Sequence, residues 1–272
     1  MKKAVQFWAA FFYLCIIMKE LLTRTLSGAA LVTVIIVCVL FSPWTLAALA
    51  LFIVAVGTYE MGRLQHVDDT WHLVLVELIV VGFFLTFLFL PPVYLLFVMF
   101  PFLVALFSKT YDFKVIATFA FGAMAFLCLP CALMVRMYQT FSPQMVLLVF
   151  VLLWTNDTFA YLTGRLLGKH KLFERISPGK TIEGSIGGLL FTMAGVIILS
   201  RYADWISLKE AVGMGLIAVV FGTLGDLCES MLKRQAGVKD SGKLIPGHGG
   251  ILDRFDSVLF TVPFVFVYLL LL

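Results

Sequence analysis

Long apolar runs separated by short polar segments dominate this chain of 272 residues. A helix needs about 20 apolar residues to cross a bilayer, and fewer where neighbouring helices support it. Prolines fall between runs, at Pro43, Pro91, Pro92 and Pro143, as expected of helix boundaries. The pattern predicts an all-α, polytopic integral membrane protein with about nine transmembrane helices. The runs are 26–41, 43–58, 73–90, 92–107, 115–135, 144–163, 184–200, 210–228 and 257–272.

Composition agrees with a membrane protein. The chain is 62% hydrophobic with 13% charged residues, and its mean hydropathy is +1.05. Soluble domains are nearer half apolar. The five cysteines are an odd number scattered through apolar runs, so they do not suggest a disulfide framework. The lipid bilayer is an expected partner, and nucleic acid is not.

The basic residues are unevenly divided between the two sides that these runs define. With Lys19 and Arg24 in the cytoplasm, fifteen of the 20 Lys and Arg residues fall on that side. The outer loops hold three, and the two lysines at the N-terminus are unassigned. This positive-inside asymmetry predicts that the polar loops 164–183 and 229–256 are cytoplasmic, where nucleotides are available.

Residues 1–17 form a basic start followed by an apolar stretch. This pattern is typical of a signal peptide or anchor, but no small-residue cleavage site follows. One interpretation is an upstream extension that catalysis does not need, and the other is an additional membrane-associated helix. The first is favoured. It leaves residues 18–272 as a single membrane-embedded catalytic domain, with its chemistry concentrated in 156–256.

The segment 226–256 carries most of the chemistry that the sequence offers. It is dense in acids, bases and glycines, yet it lies between two apolar runs. Charge beside or inside a bilayer is costly and is usually kept for function. Carboxylates hold divalent cations, Lys and Arg hold phosphate, and glycines let backbone N–H groups approach an anion. The segment is therefore a candidate site for a metal ion and a phosphorylated substrate.

Ordered motifs in this segment resemble the signature of the phosphatidate cytidylyltransferases, also called CDP-diacylglycerol synthases. These motifs are Ser230-Met-Leu-Lys233-Arg234, Lys239-Asp240, Pro246-Gly-His248-Gly249-Gly250 and Asp253-Arg254-Phe-Asp256. Two upstream motifs also resemble the family in order and spacing. They are Asn156-Asp157 with Gly164-Arg165, and Ser177-Pro-Gly-Lys180-Thr181-Ile-Glu183. The resemblance extends from about Met18, where a family-like start is found, to the C-terminus.

The resemblance implies that phosphatidate and CTP react to give CDP-diacylglycerol and pyrophosphate. A phosphate oxygen of phosphatidate attacks the α-phosphorus of CTP in line. That nucleophile is already anionic, so no strong general base is needed. The protein must instead overcome repulsion between two polyanions, with metal ions, Lys and Arg. The implied location is the bacterial inner membrane, with a cytoplasmic active site, and the family suggests a homodimer.

The resemblance also implies which residues form the site. Catalytic positions are Asp226, Asp253, Lys233, Lys239, Asp240, Arg254 and Asp256. Substrate-binding positions are Asp157, Lys180, Arg234, His248, Gly249 and Gly250. Mg²⁺ is expected on Asp226 and Asp253, and K⁺ is implied as a second ion. Glu229, one helical turn after Asp226, is expected to be a further metal ligand, a neighbour of the ligands or a partner of Arg234.

Simpler interpretations stay open for several of these residues. Asp157 could make an interhelical hydrogen bond or salt bridge. The basic residues of 226–256 could be ordinary positive-inside residues near anionic lipid. His248 could donate to a phosphate or to a structural partner. Glu60 and Arg63, which end the second run, are interpreted as a salt bridge or an interfacial anchor.

Two other protein classes remain as alternatives. A secondary transporter could also carry Asp157 in a broken helix, but it would not need the charged motifs of 226–256. A CTP-dependent polyprenol or phytol kinase would use the same nucleotide at a membrane, but would transfer its terminal phosphoryl group. The 226–256 motifs match the cytidylyltransferase pattern better than a kinase pattern.

Overall fold

The computed structural model describes residues 2–67, 69–89, 99, 101 and 113–272, without the side chains of residues 2–17, 19, 20 and 113. The elements in chain order are α1 (Lys2–Phe41), α2 (Pro43–Leu64), α3 (Thr70–Phe89), α4 (Phe113–Ala123), α5 (Leu129–Thr140), α6 (Pro143–Leu167), β1 (Lys171–Phe173), β2 (Ser177–Thr181), α7 (Ile182–Tyr202), α8 (Leu208–Gln235) and α9 (Leu252–Leu270). A π-helical turn, Met124–Cys128, joins α4 to α5.

Within the described ranges, seven helical segments are long and apolar enough to cross a membrane. They are Leu21–Phe41, Pro43–Leu64, Thr70–Phe89, Lys114–Thr140, Pro143–Leu167, Ile182–Tyr202 and Leu208–Gln235. The last helix, α9, has 19 residues and begins with a charged segment. The expected run 92–107 lies outside the residues that the structure describes. The all-α, polytopic class is therefore confirmed, and the count of nine spans stays a prediction.

Local sequence explains where several helices begin. Ser42 and Ser142 precede α2 and α6, and each side chain accepts a hydrogen bond from a backbone N–H of the first turn. A proline follows each serine, at a position where a missing N–H costs nothing. Ser207 and Glu210 form a reciprocal capping box at the start of α8. These boundaries follow from short-range chemistry that the sequence displays.

The first helix differs from what its apolar run predicts. It begins at Lys2 and has 40 residues, so it is about 60 Å long at 1.5 Å per residue. The hydrocarbon core of a bilayer is about 30 Å thick, so only part of α1 is needed to cross it. The helix continues without interruption through residue 18. The backbone does not mark the expected boundary there, and whether residues 1–17 are dispensable stays a prediction.

The two polar loops are more ordered than the all-α expectation implies. Segment 164–183 contains a small antiparallel hairpin, in which Lys171 pairs with Thr181 and Phe173 with Ser177. Helix α8 continues through the charged residues to Gln235, well past the predicted run 210–228. Its polar last turns lie beside the hairpin, so charge that would be costly in lipid faces protein and solvent instead.

Close backbone approaches bring the polar ends of the helices together. A Cβ atom on Gly184 of α7 would lie 2.7 Å from the carbonyl oxygen of Ala160 on α6. A Cβ atom on Gly225 of α8 would lie 2.7 Å from the carbonyl oxygen of Asp256 on α9. Only glycine permits these approaches. The second one places the acid that follows Gly225 directly opposite the first turns of α9.

Candidate active site

Three carboxylates from two helices meet at this polar end. Asp226 and Glu229 lie one turn apart on α8, and Asp256 lies in the second turn of α9. One oxygen from each comes within 4.8 Å of the others. The i, i+3 spacing puts the two α8 residues on one helical face, and the close approach at Gly225 brings Asp256 to that face. We call these three residues the carboxylate group.

The carboxylate group has the chemistry of a divalent-cation site. The Glu229 side chain is fully buried, and its Oε1 has no hydrogen-bond partner among the described residues. Its Oε2 lies 2.5 Å from Nζ of Lys233. A buried, unpaired carboxylate oxygen is costly, and three carboxylates in close proximity repel one another. Oxygen ligands from one or two carboxylates are what Mg²⁺ prefers beside substrate phosphates. The residues present therefore fit such an ion.

Lys180 approaches the carboxylate group from the hairpin. Its Nζ lies 2.5 Å from Oδ2 of Asp226. The next residue, Thr181, ends β2 and caps α7, because its hydroxyl accepts a hydrogen bond from Gly184 N at 3.1 Å. Glu183 accepts hydrogen bonds from the backbone N–H groups of Lys169 and His170, at 3.0 and 3.2 Å. These hydrogen bonds thus fix the hairpin on both sides of Lys180.

A polar cavity of about 630 Å³ opens between α6, α7 and the hairpin. Asp157, Arg165, Lys180 and Asp226 are among the residues that line it. A second cavity of about 210 Å³, between α1, α6 and α9, is also lined by Asp157. Sites for small molecules usually occupy about 300 to 1,000 Å³. The first cavity is large enough for a nucleotide, and Asp157 lies at the junction of the two.

Asp253, an expected metal ligand, makes contacts within the protein through both of its carboxylate oxygens. Its Oδ1 lies 2.6 Å from Lys233 Nζ. Its Oδ2 accepts hydrogen bonds from the backbone N of Ser241 at 2.8 Å, from the hydroxyl of Ser241 at 3.0 Å and from Gly250 N at 2.7 Å. Both oxygens are therefore engaged within the protein. Asp256, which was expected to be catalytic, lies beside Asp226, and metal binding by Asp253 stays a prediction.

In the glycine-rich turn, residues 245–250, backbone N–H groups make contacts within the protein, and phosphate binding there stays a prediction. The backbone N–H groups of His248 and Gly249 donate to the carbonyl oxygen of Ile245, at 2.9 and 3.1 Å, and that of Gly250 donates to Asp253. Gly249 has a φ of +90°, and a Cβ atom there would lie 2.5 Å from Asp253 Oδ2. The turn needs glycine because its backbone closes tightly around Asp253.

Glu60 of α2 is a site residue that the sequence analysis missed. Its side chain is only 4% exposed. Oε1 accepts a hydrogen bond from Ile251 N at 3.0 Å, and Oε2 accepts from Leu252 N at 2.9 Å and from the hydroxyl of Ser241 at 2.9 Å. The expected salt bridge or interfacial anchor is thus replaced by a buried acceptor at the start of α9. The sequence showed only an acid at the end of an apolar run, and the residues that donate hydrogen bonds to it lie about 180 to 190 positions later in the chain.

The remaining predicted residues lie around this centre. Arg234 donates to the carbonyl oxygens of Ile176 and Val238, both at 3.4 Å, and so joins the end of α8 to the hairpin. Lys239 and Asp240 are exposed and line a separate cavity of about 1,020 Å³ on the α2 side. Arg254 lines the 210 Å³ cavity. Arg254 shares that cavity with Asp256 of the carboxylate group.

His248 contacts the first helix. Its Nδ1 lies 2.8 Å from the hydroxyl oxygen of Ser27. Burial lowers the pKa of His248, and the positive charges of Arg254 and Arg24 lower it further. This lowered pKa favours the neutral form of the ring, although a hydrogen bond to the backbone of Pro246 opposes the shift. The structural interpretation of His248, as a hydrogen-bond partner, is the one that these contacts favour.

Comparisons with known proteins identify similar sequences. The profile of the cytidylyltransferase family matches residues 22–272. A phosphatidate cytidylyltransferase from Staphylococcus saprophyticus is 46% identical over 137 residues, which are 49% of this chain and 53% of that protein. Proteins of the same name from Staphylococcus aureus and Staphylococcus haemolyticus are 47% and 48% identical over 136 and 126 residues. These matches cover 49% and 46% of this chain, and 52% and 48% of those proteins. The chain thus spans about half the length of the curated relatives it matches.

Proposed function

Because this chain belongs to the cytidylyltransferase family, we propose that it transfers the cytidylyl group of CTP to phosphatidate and releases pyrophosphate. The phosphatidate assignment draws on the names of the matched relatives, which share about half of their length with this chain. The observation that carries the proposal is the carboxylate group with Lys180 at the rim of the polar cavity. Acids for a cation and a lysine for phosphate are the groups that nucleotidyl transfer needs.

We assign the metal to Asp226 and Asp256, with Glu229 as a third ligand or a direct neighbour. When bound there, Mg²⁺ would neutralise charge on the phosphates of CTP and on the attacking phosphate. Asp253 is proposed as a positioning residue for Lys233 and the glycine-rich turn. A second ion, K⁺, rests on the family resemblance alone, as does a homodimer.

The reaction joins two polyanions, so the protein must offset their repulsion. A phosphate oxygen of phosphatidate forms a bond to the α-phosphorus of CTP, and the bond from that phosphorus to the bridging oxygen of the β-phosphate breaks. Lys180 lies at the cavity rim, where its ammonium group can pass from Asp226 to a substrate phosphate. Arg165 and Arg254 line the two cavities that meet at Asp157. Orientation of the two substrates supplies much of the remaining rate acceleration.

The proposed location is the bacterial inner membrane, with the site facing the cytoplasm. Hydrogen bonds and an ion pair join the hairpin to α8, so loops 164–183 and 229–256 lie at the same end of the helices. This common end supports the sidedness that the basic residues predict.

Labelled CTP tests the proposal against the kinase alternative. The purified protein in lipid nanodiscs receives Mg²⁺, CTP labelled at either the α- or the γ-phosphorus, and either phosphatidate or a polyprenol. Cytidylyl transfer carries the α-label into the lipid product and the γ-label into pyrophosphate. A γ-label in the lipid would indicate phosphoryl transfer, and pyrophosphate release without phosphatidate would refute the assignment.

A further inference from the structure

An apolar groove of about 350 Å³ runs along the outer face between α7 and α8. Ile186 and Leu189 form one wall, and Val220 and Leu224 form the other. Phe173 of the hairpin lines the end near the membrane surface. Along α8 the groove extends from residue 219 to residue 227, which is about 12 Å at 1.5 Å per residue. The hydrocarbon of one leaflet is about 15 Å deep, half of the bilayer core.

The groove adjoins the polar cavity. Ser185 and Thr223 line both, so these two hydroxyl side chains form the boundary between an apolar and a charged compartment. Asp226 lies one helical turn after Thr223, and Lys180 reaches Asp226 from the cavity side. An amphiphilic molecule at this boundary would have its charged end near Lys180 and its apolar end between α7 and α8.

A second apolar groove provides a comparison. It measures about 470 Å³ and lies between α1, α2 and the segment 244–255. Val34 and Phe52 are among its lining residues. Its described lining residues include none that line the polar cavity. A headgroup in this second groove would therefore not reach the cavity that Lys180 lines, although Leu31 lines both this groove and the 210 Å³ cavity beside Asp256.

We propose that the groove between α7 and α8 holds an acyl chain of the phosphatidate substrate, an inference that rests on the proposed function. The phosphate enters the polar cavity, and the ester-linked glycerol region lies at Ser185 and Thr223. A hydroxyl group can donate to an ester carbonyl oxygen; the Ser185 hydroxyl donates to the carbonyl oxygen of Thr181 at 3.2 Å, so Thr223 is assigned as the donor to the ester. The first part of the acyl chain contacts the protein, and the rest stays in the bilayer.

Tryptophan substitutions test the groove. Val220→Trp fills one wall and Ile186→Trp fills the other, so the test does not depend on one variant that fails to fold. Val34→Trp is the matched control in the second groove, since Val34 and Val220 are 47% and 50% exposed. Each protein is first checked for a single monodisperse species in nanodiscs. The KM for CTP and the KM for long-chain and six-carbon-chain phosphatidates are then measured.

Both groove variants should raise the KM for long-chain phosphatidate at least about tenfold, which corresponds to about 1.4 kcal/mol. Their KM for CTP and their activity on the six-carbon substrate should stay within about twofold of wild type, as should every value for Val34→Trp. Groove variants that behave like Val34→Trp would overturn the proposal. So would a changed oligomeric state with an unchanged KM, because the groove would then be a contact between two copies. If wild-type protein makes no CDP-lipid from either substrate, the proposed function itself fails.

Discussion

Replacing Glu60 by Gln should loosen the glycine-rich turn without removing any group that touches substrate. Glutamate accepts backbone hydrogen bonds from Ile251 on one oxygen and from Leu252 on the other. Glutamine has one oxygen and one NH₂ group, so one of these buried N–H groups loses its acceptor. The unpaired donor costs about 1–3 kcal/mol. Loss of the negative charge at the start of α9 adds about 0.3–1 kcal/mol, or up to about 2 kcal/mol in a buried site.

The sum, about 1.3–5 kcal/mol, acts on the turn because Glu60 makes its hydrogen bonds there. At about 1.4 kcal/mol for each factor of ten, the opening equilibrium of the turn should rise roughly 8- to 4,000-fold. Hydrogen exchange of the peptide that contains residues 250–253 reads this equilibrium directly. Transfer activity should fall at least about tenfold, because Asp253 and Lys233 keep their orientation only while the turn is closed.

The matched control is Glu77→Gln, the same change in a half-buried acid of the neighbouring helix α3. It should leave both exchange at 250–253 and activity within about twofold of wild type. A Glu60→Gln protein with wild-type exchange and wild-type activity would refute the argument. An equal loss of transfer activity in both variants would also refute it, because the effect would then come from the helix bundle as a whole.

Three further predictions follow from the site and the topology. Asp256→Asn should raise the Mg²⁺ concentration for half-maximal activity at least about tenfold. Asp253→Asn should lower activity without changing that concentration. Equal shifts of the two variants in a magnesium titration would instead make Asp253 a ligand. In a cysteine-free background, a cysteine at exposed Lys243 should react only after cells are permeabilised, and one at exposed Asp204 should react in intact cells. The reverse labelling pattern would invert the topology. A chain that starts at Met18 should keep its specific activity, and a folded but inactive truncation would make residues 1–17 part of the working enzyme.

The membrane architecture was largely predictable because hydrophobic length is a local property. The runs that start near Pro43 and Pro143 became α2 and α6, with the expected boundaries at their N-terminal ends. The position of α8 was predicted correctly, but the predicted run ends at residue 228 and the helix ends at Gln235. The difference arises because the charged last turns carry no apolar pattern. The hairpin that presents Lys180 was not predicted, because its strands are three and five residues long.

The candidate site was predictable in composition but not in arrangement. Motif order indicated the acids of this segment, but not which of Asp253 and Asp256 faces α8. That orientation is set where Gly225 lets the two helix backbones approach, a contact between positions about 30 residues apart. The glycines of this segment were interpreted only as allowing backbone N–H groups to approach an anion. In the structure Gly249 has a positive φ, and its backbone fits closely against Asp253.

A continuous series of contacts joins α2 to the carboxylate group. Ser241 lies between two acids, with its hydroxyl oxygen 2.9 Å from Glu60 and 3.0 Å from Asp253. Asp253 lies 2.6 Å from Lys233, which in turn lies 2.5 Å from Glu229. Ser241 has one hydroxyl hydrogen, so it donates to one acid at a time, and the backbone N–H groups must satisfy the other. The charge on Glu60 therefore helps to fix Lys233, and Lys233 limits the negative charge that a bound cation must neutralise.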